Sequence, residues 1–286
     1  VGFPFITLQI VVLLVLLFIT LRREHPAHYE LHITNYLPLI FLLLSLIVTL
    51  ASFINFSIRR DQGAFDAWMI YNRAARFIFR DPINWQATLS PELYWGFHAD
   101  YPLLVSSNVA WAWAALGAEN IRVPLAQSGL FLFACIGLLF TALAQVKGVR
   151  LASLAAIILM SVSGFVRSGS GQTADVPLMF YMLASISILY LWSVKANSHE
   201  SDGKSSYTKE LLFISGLMAG LAGWTKNEGL LFIAVCIVIL FFVFAGTRSL
   251  RSFMYFGLGL ALPVLVNLYF KSLAPSGDLL SGSFAD

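Results

Sequence analysis

Three short stretches of this otherwise oily chain gather residues able to do acid–base or phosphate chemistry. Residues 59–102 hold five of the fifteen acids (Asp61, Asp66, Asp81, Glu92, Asp100) and five of the eighteen Lys/Arg (Arg59, Arg60, Arg73, Arg76, Arg80). Interleaved with them are Trp68, Tyr71, Trp85, Tyr94, Trp95 and Tyr101. The second stretch, 169–177 (GSGQTADVP), carries Asp175, and the third, 224–229 (WTKNEG), carries Lys226 and Glu228. Carboxylates gathered beside cations suit proton abstraction from a hydroxyl and the binding of a phosphate. They suit an ion pathway almost as well.

Each stretch also has a purely structural reading. Asp66 opens an apolar-periodic run, where the positive end of a helix dipole favours a carboxylate, and Asp61 could serve as the partner of Arg59 or Arg60. Asp175 precedes a span and would cap it, with Pro177 tolerated in the first turn. A Lys226/Glu228 pair could simply close a tight turn, although charges at helix ends in a membrane are costly and usually functional.

The elements that must position these residues are membrane helices. With 58% hydrophobic and 12% charged residues and a mean hydropathy of +0.79, the composition lies outside soluble averages. The formal net charge of +3 is spread along the chain, so the basic footprint of a nucleic-acid binder is missing. Cys135 and Cys236 both sit in apolar runs, as small buried hydrophobes do.

About 20 apolar residues cross a hydrocarbon core of about 30 Å. That ruler predicts an all-α polytopic membrane protein of about eight spans, near 3–21, 36–57, 124–145, 151–167, 176–194, 211–225, 229–246 and 253–272. The whole chain, 1–286, reads as a single transmembrane domain, with 58–123 forming a large first external loop. Within it, 65–80 predicts one amphipathic interfacial helix at about 100° per residue. Asp66, Arg73 and Arg80 share its polar face, and Trp68, Tyr71, Ala75, Ile78 and Phe79 turn toward the membrane. Residues 103–116, too short to span and carrying two tryptophans, read as interfacial or re-entrant. Basic residues close to span ends lean the connections 22–35, 146–150, 195–210 and 247–252 toward the cytoplasm. On that topology the three stretches all reach the external surface.

Several quoted segments together are similar to a known family: Asp66-Ala67-Trp68 with Ala75-Arg76-Phe77, Trp85, His98-Ala99-Asp100-Tyr101-Pro102-Leu103-Leu104, Gln172-Thr173-Ala174-Asp175-Val176-Pro177-Leu178 and Trp224-Thr225-Lys226-Asn227-Glu228-Gly229. Their order over about residues 33–270 resembles the GT-C superfamily of polytopic glycosyltransferases. The nearest branch is the one that includes bacterial protein O-mannosyltransferases and the lipid A aminoarabinose transferase. The resemblance implies a polyprenyl-phosphate sugar as donor, a lipid, glycan or protein acceptor, membrane lipids as surroundings, and a bacterial inner membrane with the site facing the periplasm. It implies Asp66 as the catalytic carboxylate, with Asp61 the competing choice and Asp175 the family's second acidic position. A lysine that aminoarabinose relatives carry before the loop Pro-Leu is replaced here by Asp100-Tyr101. Phosphate contact is then expected from Lys226, Arg73 or Arg59, with Glu228, His98, Asp100 and Tyr101 as further substrate-binding candidates. Arg73 would also help keep Asp66 ionised. No cofactor is required on this reading, and a divalent metal is not expected. Relatives have more spans, and some a soluble external domain, so the C-terminal part of the family fold is expected beyond this sequence.

Two other functions fit the same residues. A secondary transporter or flippase would use Asp175 and Lys226/Glu228 as a pathway at broken helices. A non-catalytic scaffold would use the loop to hold a partner.

Overall fold

The computed structural model describes residues 36–93, 98–197, 207–247 and 250–274. The span expected at 3–21, Tyr94, Trp95 and most of the connection 195–210 lie outside them. The regular structure is helical, with no strand among the described residues. In chain order the α-helices are α1 (Leu37–Arg59), α2 (Asn72–Arg80), α3 (Leu104–Leu116), α4 (Arg122–Lys147), α5 (Val149–Ser161), α6 (Ser163–Ser170), α7 (Asp175–Asn197), α8 (Tyr207–Thr225), α9 (Glu228–Thr247) and α10 (Leu250–Leu273).

Helices that are apolar all round have two possible surroundings, a core or a bilayer. Here the outward faces carry Leu43, Val48, Leu231, Phe242, Leu262 and Leu265, all well exposed. Lipid is therefore their solvent, and the backbone polar groups are satisfied within each helix as the hydrocarbon requires. Four described stretches are long and apolar enough to cross: Leu37–Arg59, Arg122–Lys147, Asp175–Ser193 and Phe253–Leu273. The α5–α6 pair makes a fifth if its two halves count as one span. The chain is a helical integral membrane protein; among the described residues, which leave out the first expected span, four or five of the eight expected crossings meet that length and composition. α8 and α9 stand where two further spans were expected, outside that set.

The break between α5 and α6 bends the chain by 67° at Val162, where the expected span 151–167 was continuous. Its cause is local. Val162 takes an extended conformation between two serines, and the Ser161 hydroxyl donates to the Ile158 carbonyl at 2.7 Å, competing with the helical ladder.

Two apolar cores share α7. One joins α1, α4, α5 and α6 around Leu132, Cys135, Ala156 and Phe165, reaching Val176 on α7. The other joins α8, α9 and α10 around Leu212, Ala219, Phe232 and Phe256, with Leu178 and Met182 of α7 against it. Between α8 and α10 the backbones approach so closely that a methyl on Gly216 or Gly259 would meet the facing carbonyl of Phe256 or Phe213. Small residues permit that approach where lipid offers no hydrophobic drive. Ser185 of α7 and Ser215 of α8 add a buried hydroxyl contact at 3.1 Å.

The segment 65–80 departs from the single regular helix expected of it. A π-helical turn occupies Ala67–Tyr71, and α2 follows. The additional residue in the turn rotates what comes before against what comes after, so the expected apolar stripe splits. Trp68 points outward at 42% exposed, whereas Tyr71 and Ala75 are buried inside the protein. Tyr71 packs with Ile70, Val105 and Ala174, and Ala75 with Val109, Ala110 and Trp113 of α3. The apolar side of this segment is covered by α3 rather than turned toward the membrane. Single π turns recur at functional sites because they redirect side chains in this way.

Candidate functional site

The first and second stretches meet through backbone. Gly63, at φ +80°, lies so close to the 171–172 turn that a Cβ there would sit 2.6 Å from the Gly171 carbonyl oxygen. That room lets the Ala64 amide donate to the same carbonyl at 2.8 Å. Gln172 is buried in a left-handed conformation, φ 56°. Its amide nitrogen donates to the Asp61 carbonyl at 3.1 Å, and its amide oxygen accepts from Asn72 at the long limit of 3.5 Å. Residues 60–64 are thereby fixed against the mouth of α7.

The second and third stretches meet through charge. Lys226, in the two-residue break between α8 and α9, places Nζ 2.9 Å from Asp175 Oδ1 and 3.0 Å from Glu228 Oε1. Both structural readings of these acids thus hold in part. Glu228 does close the turn, and Asp175 does open α7, with Thr173 Oγ1 donating to its other oxygen at 2.9 Å. The same lysine then joins them, reaching Asp175 across 51 positions of sequence.

A second lysine, Lys271 at the end of α10, draws in the first stretch again. Its Nζ donates to the Asp100 carbonyl, lies 3.3 Å from Asp100 Oδ2 and donates to Asn227 Oδ1 at 2.6 Å. Asn227 Nδ2 in turn donates to Asp100 Oδ2 at 2.6 Å, closing a ring of three residues from three elements. These contacts put the ends of α1, α6, α8 and α10 and the starts of α7 and α9 at one end of the bundle. Asp66 and Asp175 therefore share a side, as no crossing by 103–116 intervenes.

Aromatic rings floor the cluster. His98 stacks on Tyr101 at 4.4 Å and 10°, Tyr101 stacks on Tyr71 at 6.5 Å and 28°, and Lys226 Nζ stands 5.7 Å from the Tyr101 ring. Burial pushes the Tyr71 phenol far up, and the neighbouring Asp175, Tyr101, Asp66 and Glu228 push it further. It stays a neutral hydrogen-bond donor across the physiological range. Tyr101 is raised too, by burial first, against the opposing pull of Lys226. For Lys226 burial alone would favour loss of the proton, but the hydrogen bonds to Asp175 and Glu228 together outweigh it and hold the ammonium charged.

The expected site residues separate into two groups. Asp66, Asp100, Tyr101, His98, Asp175, Lys226 and Glu228 converge on Tyr71 and Tyr101. Asp66 is exposed and accepts no hydrogen bond among the described residues, whereas each other acid of the group is held by a lysine. Arg73 sits at the edge of the group, donating to the Leu93 carbonyl at 3.1 Å and lining a cavity with Tyr71 and His98. Asp61 contributes its carbonyl rather than its carboxylate to the seam, and Arg59 is exposed at the end of α1. Among the described residues no three His, Cys, Asp or Glu side chains come together in a way that could hold a metal ion.

Lys271, Asn227 and Tyr71 are site residues that the sequence pattern did not single out. Lys271 had a signal: a lone lysine ending the last long apolar run, where a membrane charge is functional until shown otherwise. Beside the cluster lies an open apolar groove of about 260 Å³, lined by Ile78, Trp85, Leu103, Trp224, Tyr269 and Phe270 among others. Trp224, Leu103 and Phe270 lie within two residues of Lys226, Tyr101 and Lys271, so groove and charges adjoin.

No protein-family model, curated protein or solved structure matches this chain.

Proposed function

We propose that this cluster transfers a sugar from a polyprenyl-phosphate donor to an acceptor hydroxyl, in the manner of the GT-C glycosyltransferases that the motifs resemble. The observation that carries the reading is the adjacency of an apolar groove to a charged, aromatic-floored cluster at the end of a membrane bundle. A donor of this class has the same two halves, an isoprenoid tail and an anionic sugar head. Lipid tail in the groove would bring the phosphate to the lysines and the sugar over the Tyr71–Tyr101–His98 rings.

In this mechanism Asp66 takes the proton from the acceptor hydroxyl as the oxygen attacks the anomeric carbon. The new carbon–oxygen bond forms on one face while the bond to the phosphate oxygen breaks on the other, inverting the centre. The electron pair of the broken bond leaves with the lipid phosphate, which the site's cations stabilise. A carboxylate that accepts no hydrogen bond among the described residues suits the role of base, because it has none of these to give up. Asp175 is held by Thr173 and Lys226 and serves as a fixed charge that positions the lysine. The acceptor is a lipid, glycan or protein hydroxyl, and the setting is the bacterial inner membrane with the cluster on the periplasmic side.

Membranes containing the chain, supplied with polyprenyl-phosphate hexoses and pentoses and a membrane acceptor extract, should release free polyprenyl phosphate as sugar is transferred. Absence of release with every donor would remove the assignment. Substrate flux across sealed vesicles without any release would point instead to the transporter reading.

A further inference from the structure

The two lysines of the site are not equivalent, and the difference assigns one of them a task. Lys226 is saturated: two carboxylates hold it at 2.9 and 3.0 Å, and its side chain is 17% exposed. An arriving phosphate would have to expel a carboxylate that Thr173 also anchors. Lys271 has one carboxylate oxygen at the longer distance of 3.3 Å, and its other acceptors are a carbonyl and an amide oxygen. An arriving phosphate oxygen has only this one longer carboxylate contact to displace, and Asp100 would keep its 2.6 Å bond from Asn227 after the exchange.

Position points the same way. A polyprenyl phosphate carries its phosphate on the first isoprene unit, so the receiving cation must stand at the lip of the groove that holds the tail. Lys271 directly follows Phe270 and lies two residues from Tyr269, both of which line the groove.

We infer that Lys271 is the cation that receives the lipid phosphate, exchanging Asp100 for it, while Lys226 remains a fixed part of the acidic cluster. This rests on the donor class proposed above. The exchange also loosens the Lys271–Asp100–Asn227 ring as the donor arrives, freeing the 98–102 segment to adjust to the sugar.

Binding of farnesyl phosphate and of farnesol to the purified chain in lipid nanodiscs separates the two ideas. Tryptophan fluorescence can report it, because Trp85 and Trp224 line the groove. The wild type should prefer the phosphate. Lys271→Ala should lose that preference, about tenfold in affinity for one charge-assisted contact, and leave farnesol binding unchanged. Asp100→Asn, which removes the competing carboxylate, should tighten farnesyl phosphate binding. A wild type with no preference for the phosphate overturns the donor class itself. Preference retained in Lys271→Ala overturns only the role of Lys271. If Lys271→Ala is not monodisperse, Asp100→Asn decides alone, and weaker binding there overturns the exchange.

Discussion

Two groups of charges sit at the same end of this bundle, and they are built on opposite plans. Beside α3, Arg76 and Arg80 close on Glu119 at the surface, with Arg80 64% exposed. At the α7–α8–α9 mouth, Lys226 and Lys271 are drawn among four acids and three aromatic rings. The first plan ties a loop down and leaves nothing over. Every charge has its partner, and water screens the pair, so it adds little to stability. The second leaves a carboxylate, Asp66, without a partner among the described residues, beside a phenol held neutral. An excess of unmatched polar groups in one place is the mark of a site rather than a strut.

Breaking the mouth should therefore cost activity, and breaking the clamp should not. Lys226→Met or Asp175→Asn should lower sugar transfer by about 10² to 10³, the scale of a positioned electrostatic group. Asp175 and Glu228 are 50% and 54% exposed, so water takes up the freed charge and the protein should remain monodisperse on size-exclusion chromatography. Tyr71→Phe removes only the hydroxyl and keeps the stacked ring. Its loss should be about tenfold in kcat with donor KM little changed, as for one hydrogen bond of about 1 kcal/mol. Glu119→Gln should alter transfer less than about twofold, with a stability change within about 1 kcal/mol by thermal unfolding.

The two regions should also fail at opposite ends of the pH scale. Glu119 is held below its usual value of 4.5, by the Arg80 hydrogen bond first. A lowered folded-state value gives stability that is full above 4.5 and lost as pH falls through the folded value. Lys226 and Tyr71 are both raised, from 10.5 and 10.0. Raised values give stability that is full below those figures and lost as pH rises past them. Hydrogen exchange should find 117–121 loosening first in acid and 225–229 loosening first in alkali.

How much of this was legible in the sequence depends on whether the signal was local. Helix positions in 36–57, 124–145, 176–194 and 253–272 follow from continuous apolar runs and correspond to the four crossing helices. The bend at Val162 was not legible as a break, because the run through 151–167 stays apolar on both sides of two serines. Convergence of Asp66, Asp175 and Lys226 followed from topology alone, since three segments at one surface need no knowledge of packing. The orientation of Tyr71 did not, because a π turn changes the phase of a helix without changing its composition. Lys271 escaped for a related reason. Its partners Asp100 and Asn227 lie 171 and 44 residues away, and only the packing of α10 on α8 brings them together. That packing depends on Gly216 and Gly259, whose spacing on separate helices carries no local pattern.

The most direct test of the proposed chemistry is sugar transfer by Asp66→Asn, measured beside farnesyl phosphate binding by the same preparation. Loss of transfer by 10² or more, about the contribution of a general base, with binding and monodispersity intact, is the expected result. Transfer at the wild-type rate would contradict it.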